Sequence, residues 1–183
     1  VDRITGGGDH TRGDEHREEH GVQDTAAASQ TKAAPIPTLV PHNQDRNANP
    51  FAFLNGEFHL KVSSADTGGR ATVFDTIRHT PGGPPLHVHH DQDEWFLVTE
   101  GQFDIRVGDS LFALKPGDSV LAPKGIPHSF RNTTQTGRIM VTFLPAGTME
   151  EFFAAGSTGG QMSPPEFAKL FAMHGMQVVG PPL

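Results

Sequence analysis

The sequence predicts an all-β sandwich or barrel with a polar tail before it and two short helices after it. Three observations carry this. Short β-branched and aromatic runs recur from about residue 50 to residue 147, each closed by Gly or Pro turn chemistry. Gly108-Asp109 separates Gln102–Val107 from Leu111–Lys115, which is the signal of a two-residue hairpin. Side chains large enough to build a core are almost absent before Ile36. The expected organisation is a disordered tail over 1–48, a β-barrel over 49–147 and a helical extension over 148–183.

In chain order, the tail holds Gly6-Gly7-Gly8, a charged stretch from Asp14 to His20, and Ala26-Ala27-Ala28. His16 and His20 are four apart, but nothing fixes a carboxylate beside them, so they read as solvated. Order is expected to begin near Phe51. Glu57 to Val62 alternates as a half-buried strand does, with His59 on the polar, exposed side beside Glu57 and Lys61. Asp66-Thr67-Gly68-Gly69 is a turn, and Arg70 to Arg78 a second strand with His79 in the loop beyond it. Glu94 to Val98 is apolar on both faces after its carboxylate. Phe96 and Val98 would line the barrel, while Trp95 and Leu97 need cover from elsewhere. Ser119–Ala122, His128–Arg131 and Arg138–Leu144 are the remaining strands. Phe74, Phe96, Phe103, Phe112, Phe130 and Phe143 are the expected interior. Thr148 can cap a helix over 149–155 that ends at Gly156. Ser163-Pro164-Pro165-Glu166 is a capping box, with Phe167, Leu170 and Phe171 on one face and Gly175 as the stop.

The chemistry concentrates between Gly82 and Asn132. His87 and His89 are two apart, so on a strand both imidazoles point the same way and can reach one metal at about 2.1 Å. Glu94 follows at an odd offset. An unbroken strand would turn it to the opposite face, so a turn or bulge within His90-Asp91-Gln92-Asp93 must reset it. His128 stands alone beyond Pro123-Lys124-Gly125. Three histidines and a carboxylate suit Fe, Mn, Ni, Co, Cu or Zn in the divalent state.

These residues resemble the cupins. The first motif of that family, G-x5-H-x-H-x3–4-E-x6-G, is met by His87-x-His89-x4-Glu94-x6-Gly101, except that Pro81 stands at the first glycine with Gly82 and Gly83 after it. The second, G-x5-P-x-G-x2-H-x3-N, is met in full by Gly117, Pro123, Gly125, His128 and Asn132. The resemblance spans roughly residues 50–155. It implies a double-stranded β-helix, the jelly-roll cupin barrel, with His87, His89, Glu94 and His128 as ligands of one divalent transition metal. The stretch from Pro145 to Phe153 and the close from Gly175 to Pro182 are most similar to the quercetin 2,3-dioxygenase-like group. That similarity implies a small phenolic or enol substrate and molecular oxygen as reactants. Glu94 is then both ligand and base.

Composition narrows the alternatives. A net charge of -7 with no basic cluster argues against nucleic acid or an anionic membrane as partner. No apolar run approaches the ~18 residues of a spanning helix, and no charged-then-apolar leader is visible, so a cytoplasmic location is expected. Absence of cysteine removes thiolate ligands and nucleophiles. A non-oxidative metal enzyme, a decarboxylase or isomerase, is the first alternative. Such sites usually hold Lys, Arg or Tyr; the chain has no tyrosine, its strand-borne cations are Lys61, Arg70, Arg78, Arg106, Lys115, Arg131 and Arg138, and alternation leaves an inward position open to Arg106 and Arg131. A binding module without turnover is the second. The doubly apolar strand around Trp95 and the apolar C-terminal helices predict a homodimer.

Overall fold

Two antiparallel sheets face each other, and the chain crosses between them repeatedly. The computed structural model describes residues 37–158, 160 and 162–183. The first sheet contains β1 (Phe51–Phe53), β2 (Gly56–Val62), β3 (Thr72–Arg78), β10 (Gly137–Leu144), β5 (Asp93–Glu100) and β8 (Ser119–Ala122), hydrogen-bonded in that order. The second contains β11 (Met176–Pro182), β4 (Pro85–His89), β9 (His128–Asn132), β6 (Phe103–Val107) and β7 (Ser110–Leu114). A single-turn helix, α1 (Ser64–Thr67), joins β2 to β3, and α2 (Met149–Thr158) and α3 (Pro164–Met173) follow β10. This is the jelly-roll barrel with short C-terminal helices.

Alternation decides which side chains meet inside. Phe58, Leu60, Phe74, Phe96, Val98, Phe103, Ile105, Phe130, Val141 and Phe143 are all buried in one core. Phe112 departs from the expected interior. It shares the face of its register partner Ile105, but β7 is the last strand of its sheet and Phe112 stays 42% exposed. The C-terminal helices add Met149, Phe152, Phe153, Leu170 and Phe171 to the same core. Phe153 stacks on Phe58 at 4.2 Å between ring centroids. The apolar faces of both helices are therefore spent within the chain, and that part of the argument for a dimer falls away.

Two features of the extension were not expected. α2 does not stop at Gly156 but runs through it to Thr158. A Cβ there would come within 2.3 Å of the Phe53 ring, so the glycine serves close approach rather than termination. Beyond Gly175 the chain forms β11, antiparallel to β4, with Met176 opposite His89 and Val178 opposite His87. The strand ends in Pro181-Pro182, which an edge position tolerates because no further strand needs those N–H groups.

The expected tail over 1–48 lies for its larger part, together with His16 and His20, outside the described residues. Within its last dozen residues, Pro41, Gln44, Asp45 and Arg46 bond to β2. β1 covers β2 only as far as Phe58, and beyond it Asp45 Oδ2 accepts from Leu60 N at 2.6 Å while Arg46 N donates to Leu60 O at 2.8 Å. Asp45 Oδ1 also accepts from Asn47 N and Asn49 N. This segment explains why His59 is buried, not exposed as its parity suggested: residues 43–50 lie over that face. His59 takes no part in the metal cluster; its Nε2 lies 3.2 Å from Glu57 Oε2. The Asp45→Ala change should orphan up to three N–H groups and destabilise the fold by about 2–3 kcal/mol. A urea midpoint equal to wild type would show that the segment is not anchored through Asp45.

Candidate metal centre

Three of the four predicted ligands stand on one sheet and the fourth on the other. His87 and His89 are on β4, and His128 on β9 is the register partner of His87. Glu94 is on β5 of the facing sheet. The odd offset between His89 and Glu94 is thus resolved by a change of sheet through residues 90–92, rather than by a bulge within one strand. All four side chains are buried, with Glu94 4% and His128 0% exposed. One ligand atom from each lies within 4.8 Å of all the others.

The hydrogen bonds at the back of each ring fix its tautomer. His87 Nδ1 lies 2.9 Å from Pro85 O, and His128 Nδ1 lies 2.8 Å from Ile126 O. A carbonyl can only accept, so both Nδ1 atoms carry a proton. His89 Nδ1 lies 2.7 Å from Gln92 Oε1, and the Gln92 amide is oriented by its Nε2 donating to Pro145 O at 2.6 Å. Every Nε2 is left with a lone pair. These three nitrogens surround one oxygen, Glu94 Oε2, at 2.8 Å from His128, 3.2 Å from His89 and 3.8 Å from His87. His89 Nε2 makes no hydrogen bond there although it is buried. Lone pairs converging on a carboxylate repel unless a positive charge sits among them. The donor set therefore fits a divalent cation, with backbone and amide groups orienting the imidazoles as metal sites require.

The electrostatics of the bare cluster agree. Burial favours a neutral Glu94, but the three imidazoles outweigh it and hold the carboxyl well below its usual range. Burial pulls His87 down. Burial would pull His128 down as well, yet the hydrogen bond and charge of Glu94 raise it.

Gln92 and Arg78 were not singled out from the sequence. Gln92 was read only as part of the turn-like stretch 90–93, and only the fold brings Pro145 against it. Arg78 is the inward cation. Neither Arg106 nor Arg131 points inside: Arg106 Nε donates to Gly108 O, and Arg131 pairs with Asp104 at 2.6 Å. Arg78 follows Phe74 and Thr76 on the inner face of β3 and is 1% exposed. It lines the same pocket as His87, His89 and Glu94, and the other walls are largely aromatic, including Phe130, Phe143 and Phe171. His79, in the next loop, stays outside and faces Glu57.

Residues 77–144 match the family described as Cupin domain. That stretch of the chain is a cupin domain. Quercetin 2,3-dioxygenase of Bacillus subtilis (strain 168) is 28% identical to this chain over 127 residues, which cover 64% of the chain and 37% of the relative. The uncharacterized protein YdbB of the same organism is 41% identical over 64 residues, or 34% of the chain and 57% of the relative. The chain thus spans less than two thirds of the length of either relative. The solved structure of ectoine synthase from P. lautus shares the fold at a TM-score of 0.53 with 15% identity, over 69% of this chain and 98% of that one. No helix among the described residues is long and apolar enough to cross a membrane.

Proposed function

We propose that this cupin is a metal-dependent dioxygenase acting on a small phenolic or enol substrate, with His87, His89, Glu94 and His128 as the ligands and Glu94 also as the base. The observation that supports this most is the ring of three Nε2 lone pairs around Glu94, opening on an aromatic pocket. A divalent metal held there would acidify a hydroxyl and leave coordination positions free for small ligands. The protein's own part is to bind and to move a proton. Phe130, Phe143 and Phe171 supply apolar walls that suit a flat ring and exclude water. Among the described residues Glu94 is the only carboxylate in the pocket lining, so it is the group assigned to accept the substrate's proton. The similarity to quercetin 2,3-dioxygenase supports the same reaction class. Oxygen uptake by the metal-loaded chain should begin on adding a flavonol or another phenol of a panel and should stop with chelator. If no phenol or enol drives uptake, the dioxygenase reading is wrong.

One observation favours a second reading, a non-oxidative metal enzyme: a buried cation, Arg78, shares the pocket. Loss of substrate without oxygen uptake in the same assay would select it.

The homodimer is proposed on the sheet face alone. Trp95 lies opposite Leu121 in register, and Met140 opposite Leu97, forming an apolar strip on the outer face next to the edge strand β8. Leu121 is 47% exposed. Sedimentation should give twice 19.7 kDa for wild type and the single mass for Leu121→Asp. A wild-type monomer at micromolar concentration would refute the dimer.

A further inference from the structure

β3 places a positive charge inside the barrel and gives it no counter-charge. Arg78 Nη1 donates to the neutral Asn55 Oδ1 at 3.1 Å, and its Nε, also buried, has no partner. No carboxylate among the described residues pairs with it. By contrast, Arg138 on the outer face is held by both oxygens of Asp75. An uncompensated buried cation is costly, and burial pulls the guanidinium down to about 9, still charged near neutral pH.

The surroundings make room for that charge. Both register partners of Arg78 are glycines, Gly56 on β2 and Gly137 on β10. A Cβ on Gly56 would meet Ile77 O first and then Arg78 Nη1 at 2.9 Å, whereas one on Gly137 would meet Asn132 and Phe103 and not Arg78. The guanidinium lies between the rings of Phe58 and Phe130, 4.8 and 4.9 Å from their centroids. Ring faces hold a cation in place without neutralising it. Thr76, two residues along on the same inner face, has a buried hydroxyl that is also unpartnered. Two polar side chains with unmet hydrogen-bonding capacity therefore face the interior from one strand.

We propose that Arg78 anchors a carboxylate of the substrate, so that the molecule taken by this pocket is a small, largely apolar monocarboxylic acid that also carries a metal-binding hydroxyl. The inference rests on the reading that the aromatic pocket is the substrate site, but not on which reaction is run there. Charge counting favours one carboxylate over a phosphate. A divalent metal with Glu94 leaves +1, and Arg78 adds another +1. An ionised hydroxyl and one carboxylate bring the sum to zero, while a phosphate dianion beside an ionised hydroxyl would exceed it. The apolar walls favour the less hydrated anion for the same reason.

The test compares benzoate and cinnamate with their neutral amides, benzamide and cinnamamide, on the full chain by calorimetry. It is run without oxygen on both metal-loaded and metal-stripped protein, so turnover plays no part. The acids should bind at least about tenfold more tightly than the amides in both forms, because a charge-assisted contact to a buried guanidinium supplies that much. Arg78→Met keeps the length without the charge and should erase the preference while keeping metal content. Equal binding of acid and amide, no binding of either acid, or a preference that survives in Arg78→Met would overturn the proposal. If Arg78→Met does not fold, the wild-type comparison in the metal-stripped form decides. A preference present only with metal would place the carboxylate on the ion and overturn the assignment to Arg78. A chain that prefers the acids yet never consumes oxygen would retain the anchor and lose the dioxygenase reading.

Discussion

Replacing His128 by alanine is expected to abolish stoichiometric metal binding while the barrel stays folded. His128 is the ligand closest to Glu94 and the only one contributed by β9. Removing it leaves two imidazoles on β4 and one carboxylate across the sheet gap, with a void where the fourth donor stood. Loss of a partner that merely orients a ligand costs about 10–100-fold in affinity, so loss of the ligand itself should cost more. Gln92→Ala, which frees His89 Nδ1, is the matching control and should fall in that milder range. The fold should survive because the phenylalanine core continues around Phe74, Phe143 and Phe153 without His128. Metal content and circular dichroism, measured together, separate the two effects. Wild-type metal in His128→Ala would remove it from the ligand set. In the unaltered protein, occupancy should fall as pH drops through the histidine range. His128 is the first competitor for protons there, since Glu94 raises its affinity for one.

Glu94→Gln should keep much of the metal and lose most turnover. The substitution preserves size and one oxygen donor but removes the charge and the capacity to take a proton. General-base contributions are typically about 10²–10⁴-fold, and a loss of that order in kcat is the expected result. The apolar lining offers no second carboxylate among the described residues. Asp91 is exposed, and Asp93 Oδ1 accepts from Lys124 N at 2.8 Å, on the far side of the turn. Turnover at the wild-type rate with metal bound would show that Glu94 is not the base. Loss of metal and turnover together would limit its role to coordination.

The His87, His89, Glu94 and His128 cluster was legible because its spacing follows the strand geometry: two imidazoles on one strand face, a carboxylate after the crossover, a third imidazole after a Gly/Pro turn. The hairpin at Gly108-Asp109 was legible for a similar reason, since the turn residues themselves set the geometry. What failed was cover. Parity placed His59 correctly on the outer face, but it could not say that residues 43–50 would lie over it. Parity also put Phe112 on the inner face, and only the sheet order shows that this face runs out at an edge. Arg78 was readable in principle, as it has the parity of Phe74, but a charged residue at a strand end looks solvated. The signal against that was the pair of glycines, and their register with Arg78 exists only in the folded sheet. β11 was missed because Gly180-Pro181-Pro182 argues against a strand until an edge position is known.

Because the donors are divided between the two sheets, the distance between those sheets acts as a gauge for the ion. His87, His89 and His128 stand on one layer and Glu94 on the other. The spacing of the layers is set by side chains that never touch a metal: Phe143, whose ring lies 5.6 Å from that of His89, Phe96 beside His128, and Phe171 edge-on to His87. A larger or smaller residue at these positions would widen or narrow the gauge by fractions of an ångström, and divalent ions differ in preferred bond length on that scale. Metal preference in this barrel is therefore open to change through its hydrocarbon packing, with every ligand left in place.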